Sequence, residues 1–190
     1  MTTTSRLGLM LISLSASGLA AESPPAYEKA HSLQGITFTI NCPNEGSLNK
    51  ATLSTKGLEG ENAPITLEID GTITGSEVAD LNADGSPEIY IFTASAGSGS
   101  YAGLVAYSTN SKKSLTAIYL PELGEDKKNS AGYMGHDQFA IVESVLARRF
   151  PLYEKKDSNA KPTGKTRQLQ YKLKAGEAGW VLKLEKSTDY

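Results

Sequence analysis

The stretch Gly35–Asn41, GITFTIN, decides the fold class. Its large apolar residues alternate with threonines, and this period of two is typical of a β-strand with one buried face and one wet face. A second stretch, Glu88–Phe92 (EIYIF), is apolar at successive positions and therefore on both faces. Such a strand is expected in the centre of a fold, where it is covered on both sides.

Similar short runs, separated by Gly, Asn, Pro and Asp, continue along the rest of the chain. The further predicted strands are Ile65–Ile69, Gly71–Val78, Glu88–Ala94, Gly103–Ser108, Leu115–Leu120, Phe139–Val145, Arg148–Tyr153, Gln168–Leu173 and Trp180–Leu184. Strands at this spacing predict a single all-β domain, an antiparallel β-sandwich or a barrel-like sheet. The polar stretch Lys155–Arg167 is interpreted as a long hairpin connection.

Composition excludes several classes of function. The chain has 190 residues, with 19 Lys plus Arg against 21 Asp plus Glu, 18 Gly, one Cys and two His. A near-neutral charge without a basic block argues against nucleic acid as a partner, because binding to phosphates needs clustered cations. A single Cys rules out an internal disulfide framework and a Cys-based zinc site.

The first twenty residues have the pattern of a secretory signal peptide. Arg6 precedes the apolar run Leu7–Leu14, and the small residues SASGLAA follow. This order of basic, apolar and small residues predicts cleavage after Ala20 and a mature domain of residues 21–190. The apolar run is too short to span a bilayer, and no Cys follows the cut, so we expect a soluble periplasmic product without a membrane anchor. Removal of Arg6 leaves a formal charge of about −3.

Cys42 would then lie in an oxidising compartment without a partner in its own chain. Two states are open: it is buried and inert, or it is paired with another chain in a homodimer.

The segment Asp80–Glu88 (DLNADGSPE) has the spacing of a calcium loop. Oxygen ligands at Asp80, Asn82, Asp84 and Glu88, with Gly at the sixth place, suit a hard cation. The segment departs from the EF-hand pattern, because its acid stands at the ninth place and strands flank it. The same residue types also close an Asx turn without any metal, so both interpretations stay open.

The loop Ser95–Tyr101 (SAGSGSY) follows the predicted central strand. Its glycines do not match the dinucleotide fingerprint, and its serines do not match a nucleophile elbow. Catalytic motifs therefore fail here, and we assign no catalytic residue. Hydroxyl donors, small residues and one aromatic ring are suited to reaching into a pocket of a partner. The alternative is a flexible loop with Tyr101 folded back on the sheet.

The run Val78–Tyr107 (VADLNADGSPEIYIFTASAGSGSYAGLVAY) resembles the centre of the periplasmic inhibitors of invertebrate-type (I-type) lysozyme. The resemblance rests on an acidic D-x-N-x-D-G turn, an apolar strand and an S-G-x-Y loop. It implies a lysozyme as protein partner, no catalysis, and a loop that enters the active-site cleft of the lysozyme. The residues that inherit this role are Ser98, Gly99, Ser100 and Tyr101. The mature chain is longer than the compact members of that family, and its longer C-terminal half begins at about Gly132.

Two other functions compete with inhibition. The first is a calcium-stabilised extracellular β module whose functional centre is the Asp80–Glu88 loop. The second is a hydrolase that uses His136 and Asp137 as an acid/base pair. The alternative to the hydrolase interpretation is that His136 is a capped residue in a turn and has no catalytic role.

Overall fold

The structure is a computed structural model that describes residues 26–60 and 62–190. The predicted signal peptide lies outside the described residues. Within them the fold is all-β, as predicted, and regular structure other than strands is limited to a 3₁₀ turn at Leu123–Glu125. The twelve strands of the described part are β1 (Tyr27–Leu33), β2 (Ile36–Cys42), β3 (Leu48–Lys56), β4 (Ile65–Asp70), β5 (Thr72–Ala79), β6 (Glu88–Ala94), β7 (Ala102–Thr109), β8 (Leu115–Tyr119), β9 (Gln138–Val142), β10 (Val145–Pro151), β11 (Thr166–Ala175) and β12 (Trp180–Asp189).

The strands form two sheets. The first has four strands in the order β1-β2-β3-β4, all antiparallel. The second has eight, in the order β5-β6-β7-β8-β12-β11-β10-β9. The pairing of β8 with β12 is parallel, so the second sheet departs from the purely antiparallel arrangement that we expected.

The eight-stranded sheet curves until its edge strands approach each other. The backbone N–H of Ile141 on β9 donates to both carboxylate oxygens of Glu77 on β5, each at 3.3 Å. A side chain therefore bridges the seam where a closed barrel would have a ladder of backbone bonds. The sandwich and the barrel-like sheet, given as alternatives from the sequence, are both present in the fold.

Strand β6 separates two hydrophobic cores. Tyr90 and Phe92 point into the barrel-like sheet, whereas Ile89 and Ile91 pack against the four-stranded sheet. The strand is buried on both faces, which confirms the prediction made from its apolar sequence. Cys42 belongs to the second core, where it is buried and makes no disulfide within the described residues. Among the described residues, no helix has the length and hydropathy to cross a membrane.

Strands β1 and β3 were absent from our prediction. Strand β1 is mostly exposed, and it contacts β5 through polar groups: Tyr27 Oη and His31 Nε2 lie 2.6 and 2.7 Å from Ser76 Oγ. The predicted strand Phe139–Val145 was wrong in its extent, because Glu143 adopts a φ of 55° in the turn between β9 and β10. Residues 152–165 connect β10 to β11, so the predicted connection Lys155–Arg167 exists but begins earlier, and Thr166 and Arg167 belong to β11.

Candidate functional site

The loop Ser95–Tyr101 joins β6 to β7, the two strands that lie next to each other at the centre of the family resemblance. Two hydrogen bonds join the first and last residues of this loop. Ser95 N donates to Tyr101 O at 2.9 Å, and Tyr101 N donates to Ser95 Oγ at 3.1 Å. Its tip turns tightly, since Ser100 N donates to Gly97 O at 3.2 Å. Gly97 has a φ of 137°, which a residue with a Cβ rarely adopts.

Tyr101 lies across the backbone of its own loop. A Cβ at Gly99 would approach Tyr101 Cε2 to 2.3 Å, so only glycine leaves room for the ring. The ring also packs edge-on against Tyr133, with centroids 5.6 Å apart and 74° between planes. It nevertheless remains 47% exposed. The aromatic side chain is therefore held in one place and still presents about half of its surface outward.

A second loop, Gly132–Asp137, supports the first from the side. His136 N donates to Gly99 O at 2.8 Å. Gly135 has a φ of 91°, and a Cβ there would lie only 2.0 Å from the same Gly99 oxygen. The close approach of the two backbones thus depends on glycine at 135.

Asn159 ties both loops to the β10–β11 connection. Its Nδ2 donates to Ser98 O at 3.0 Å, and its Oδ1 lies 2.9 Å from Nε2 of His136. These contacts fix the tip of the Ser95–Tyr101 loop through its backbone. Among the described residues, none accepts from or donates to the hydroxyls of Ser98, Ser100 and Tyr101. The loop is held by its main chain, and its side-chain donors remain available to a partner.

A buried ion pair lies beneath the two loops. Asp137 accepts from Ala102 N at 2.8 Å, from Arg148 Nε at 2.6 Å and from Tyr133 Oη at 3.1 Å. The Arg148 guanidinium donates to Tyr133 Oη at 2.9 Å. Burial raises the pKa of the Tyr133 phenol above its ordinary value, so this group stays a donor to Asp137. The cluster anchors Ala102, the first residue after the candidate loop.

The cleft beside the loop contains the residue types of a catalytic triad without its hydrogen bonds. About 490 Å³ in volume, it is lined by Ser100, His136 and Asp137 among others. The carboxylate of Asp137 is engaged by Arg148, and His136 Nε2 faces Asn159. Within the described part of the chain no hydrogen bond joins any two of Ser100, His136 and Asp137. The hydrolase interpretation therefore has no relay in this structure.

The Asp80–Glu88 loop brings its three predicted carboxylic-acid ligands together. Asp80, Asp84 and Glu88 each offer an oxygen, and these three atoms lie within 4.8 Å of one another. Asp80 also accepts from the backbone of Asp84 and of Gly85, at 3.0 and 2.9 Å. The amide of Asn82 lies against Asp84: its Nδ2 donates to Asp84 Oδ2 at 2.8 Å, and its Oδ1 accepts from Asp84 N at 3.3 Å.

Glu88 is the most unusual of these residues, because it is 0% exposed. Its Oε2 accepts from Leu81 N at 2.8 Å and from Tyr90 Oη at 3.5 Å, whereas its Oε1 is buried without a hydrogen-bond partner in the described structure. Burial, followed by the charges of Asp80 and Asp84, raises the pKa of Glu88 to about 8.

The sequence predicts the Ser98–Tyr101 segment and the acidic loop as candidate sites, but it does not indicate the groups that hold the first of these in place. Tyr133, Arg148 and Asn159 belong to none of the motifs found in the sequence. They support the loop through contacts between residues 32 to 61 positions apart: Tyr133 with Tyr101, Asp137, which Arg148 holds, with Ala102, and Asn159 with Ser98. Short motifs and the alternation of apolar and polar residues describe neighbouring residues only, so they do not indicate such contacts.

Comparison with known proteins confirms the resemblance. Residues 49–130 match the model of the family described as PliI, periplasmic lysozyme inhibitor of I-type lysozyme. The matched part contains the acidic loop, β6 and the Ser95–Tyr101 loop, and it ends before the Gly132–Asp137 loop, Arg148 and Asn159. No curated protein matches the chain.

Proposed function

We propose that this chain, which is similar over residues 49–130 to the periplasmic inhibitors of I-type lysozyme, itself binds and inhibits a lysozyme. The Ser98–Gly99–Ser100–Tyr101 segment enters the active-site cleft of the enzyme. The observation that carries this mechanism is a loop held through its backbone while the hydroxyls of Ser98, Ser100 and Tyr101 have no partner among the described residues.

The chemistry of a lysozyme cleft suits such a loop. Glycoside hydrolysis uses two carboxyl groups in a groove shaped for sugar. A hydroxyl that donates to a charged acceptor contributes about 1.5–3 kcal/mol, and Ser98 and Tyr101 offer one such donor each. Tyr101 adds apolar area of the kind found at the centre of interfaces.

Rigidity of the loop matters as much as its donors. Ordering a flexible loop on binding costs about 0.5–1.5 kcal/mol for each immobilised side chain. Here the contacts of His136 with Gly99, of Asn159 with Ser98 and of Asp137 with Ala102 hold the loop before any partner arrives. The part of the chain beyond the family match thus acts as a support for the inhibitory segment. The protein performs no catalysis in this mechanism.

Location in the periplasm follows from the same proposal. The pattern of residues 1–20 directs export, and the family that matches residues 49–130 is described as periplasmic. The mild negative charge of the mature chain favours association with a cationic lysozyme, and at about −3 this electrostatic steering is small.

The test is a double substitution, Ser98→Ala with Tyr101→Phe, which removes two hydroxyls and leaves the fold contacts of the loop in place. We expect the inhibition constant against an I-type lysozyme to rise about 10- to 1000-fold, because the complex loses one to two hydrogen bonds to charged groups. The inhibition constant is measured from the turbidity of a peptidoglycan suspension with added lysozyme. The matched control, Ser187→Ala with Tyr190→Phe, removes the same atoms from exposed positions at the end of the chain.

Equal inhibition by the double variant and by the wild type would refute the loop mechanism. A panel of invertebrate-, chicken- and goose-type lysozymes identifies the class that is inhibited. Metal-dependent binding to cell walls without protection from lysozyme would instead favour the calcium-stabilised binding module. Clearing of the suspension without added lysozyme would favour the hydrolase.

A further inference from the structure

We propose that Asp80, Asp84 and Glu88 bind a calcium ion at the turn between β5 and β6. This site is separate from the inhibitory segment and independent of the proposed function. The three ligand oxygens lie within 4.8 Å of one another. Two ligands on opposite sides of a calcium ion are at most about 5 Å apart, since each lies 2.3–2.6 Å from the ion. All three oxygens can therefore share one ion.

The charges of the cluster are not balanced by the protein. Among the described residues, no salt bridge reaches Asp80, Asp84 or Glu88. Lys172, which lines the open cavity beside Asp84, is paired with Glu185 at 2.9 Å. Three carboxyl groups this close repel one another once all are ionised, and a divalent cation bound between them removes that repulsion.

Glu88 supplies an independent indication of a ligand. A carboxylate oxygen that is fully buried needs a hydrogen bond or a cation, because its transfer from water is costly. Oε2 has such a partner in Leu81 N, but Oε1 has none in the described structure. A fully buried acid with an unsatisfied oxygen, adjacent to two further carboxylates, is the arrangement that a bound cation explains.

Calcium fits these ligands better than magnesium. Calcium accepts six to eight oxygens in irregular geometry, including amide and water oxygens, whereas magnesium requires a near-ideal octahedron. The loop offers three carboxyl groups, and its exposed side leaves room for water ligands. The bound ion would tie the end of β5 to the start of β6, and so stabilise the central strand of the fold.

The experiment measures the melting temperature and the heat of binding of the full chain after removal of metal with a chelator. With a dissociation constant of about 1 mM, as in extracellular calcium modules, 10 mM CaCl₂ raises the melting temperature by roughly 3–6 °C. An equal concentration of MgCl₂ should raise it by less than half as much. No shift and no heat with calcium would overturn the proposal.

Glu88→Gln tests the ligand directly, because it keeps the shape of the side chain and removes its charge. The variant should melt no lower than the wild type without metal and lose the calcium shift. Asp157→Asn is the matched control, because Asp157 also closes a turn by accepting from two backbone N–H groups. Its calcium shift should stay intact. If Glu88→Gln does not fold, Asp84→Asn serves instead, and a full calcium shift in a folded variant of either ligand overturns the proposal.

Discussion

Substitution of Gly135 by alanine tests whether the Gly132–Asp137 loop positions the Ser98–Tyr101 segment that we propose as inhibitory. A Cβ at this position would lie 2.0 Å from Gly99 O. The Gly99 carbonyl must then retreat by at least about 1.4 Å to reach ordinary contact distance. This movement breaks the bond that His136 N donates to Gly99 O at 2.8 Å.

The expected magnitude follows from these contacts. The φ of 91° at Gly135 costs an alanine about 1–2 kcal/mol, and the lost backbone hydrogen bond adds about 0.5–1.5 kcal/mol. Displacement of Ser98 and Tyr101 by about 1 Å removes the equivalent of one hydrogen bond to a charged group in the complex, about 1.5–3 kcal/mol. The inhibition constant should therefore rise about 10- to 100-fold.

The assay compares Gly135→Ala with Gly35→Ala in thermal unfolding and in lysozyme inhibition. Gly35 has a φ of 87°, and nothing lies within 4 Å of a Cβ there. Both variants should lose stability through the strained backbone, but only Gly135→Ala should lose inhibition. If Gly135→Ala remains folded and inhibits like the wild type, the second loop does not position the first. If both variants lose inhibition equally, the effect is one of stability alone.

Two further predictions concern ion pairs. Arg148→Met leaves the buried carboxylate of Asp137 without its cation, and we expect the free energy of unfolding in urea to fall by about 3–5 kcal/mol; a fall below about 1 kcal/mol would contradict this. Hydrogen bonds from Arg167 lower the pKa of Asp189 below its ordinary value of 3.8. The pair therefore stabilises the fold above that pH and loses its effect as the pH falls through the lowered pKa. Asp189→Asn should flatten the acid side of a plot of melting temperature against pH, and an unchanged acid side would show that the pair has no such role.

A strand could be predicted where its pattern involves neighbouring residues, and it was missed where its formation depends on residues far apart in the sequence. Alternation within β2 and the unbroken apolar run of β6 involve neighbouring residues, so both strands were predicted almost to their ends. Strand β3 was missed because its buried positions include small and polar residues, among them Asn49, whose Nδ2 donates to Gly71 O at 2.7 Å. The parallel pairing of β8 with β12 joins segments far apart in sequence, and no local pattern indicates it.

In the candidate site, too, some features follow from neighbouring residues in the sequence and others only from the tertiary structure. The sequence by itself determined an all-β chain, a donor-rich loop after its central strand and a second loop with the spacing of a calcium site. Each is a property of consecutive residues, and the family match covers both loops. Only the tertiary structure decided that Gly135, Asp137, Arg148 and Asn159 hold the Ser98–Tyr101 segment. It also decided that Glu88 is buried with an unsatisfied oxygen. Burial and long-range contacts exist only after distant strands have packed together, because the same residue types in a sequence are compatible with many neighbours.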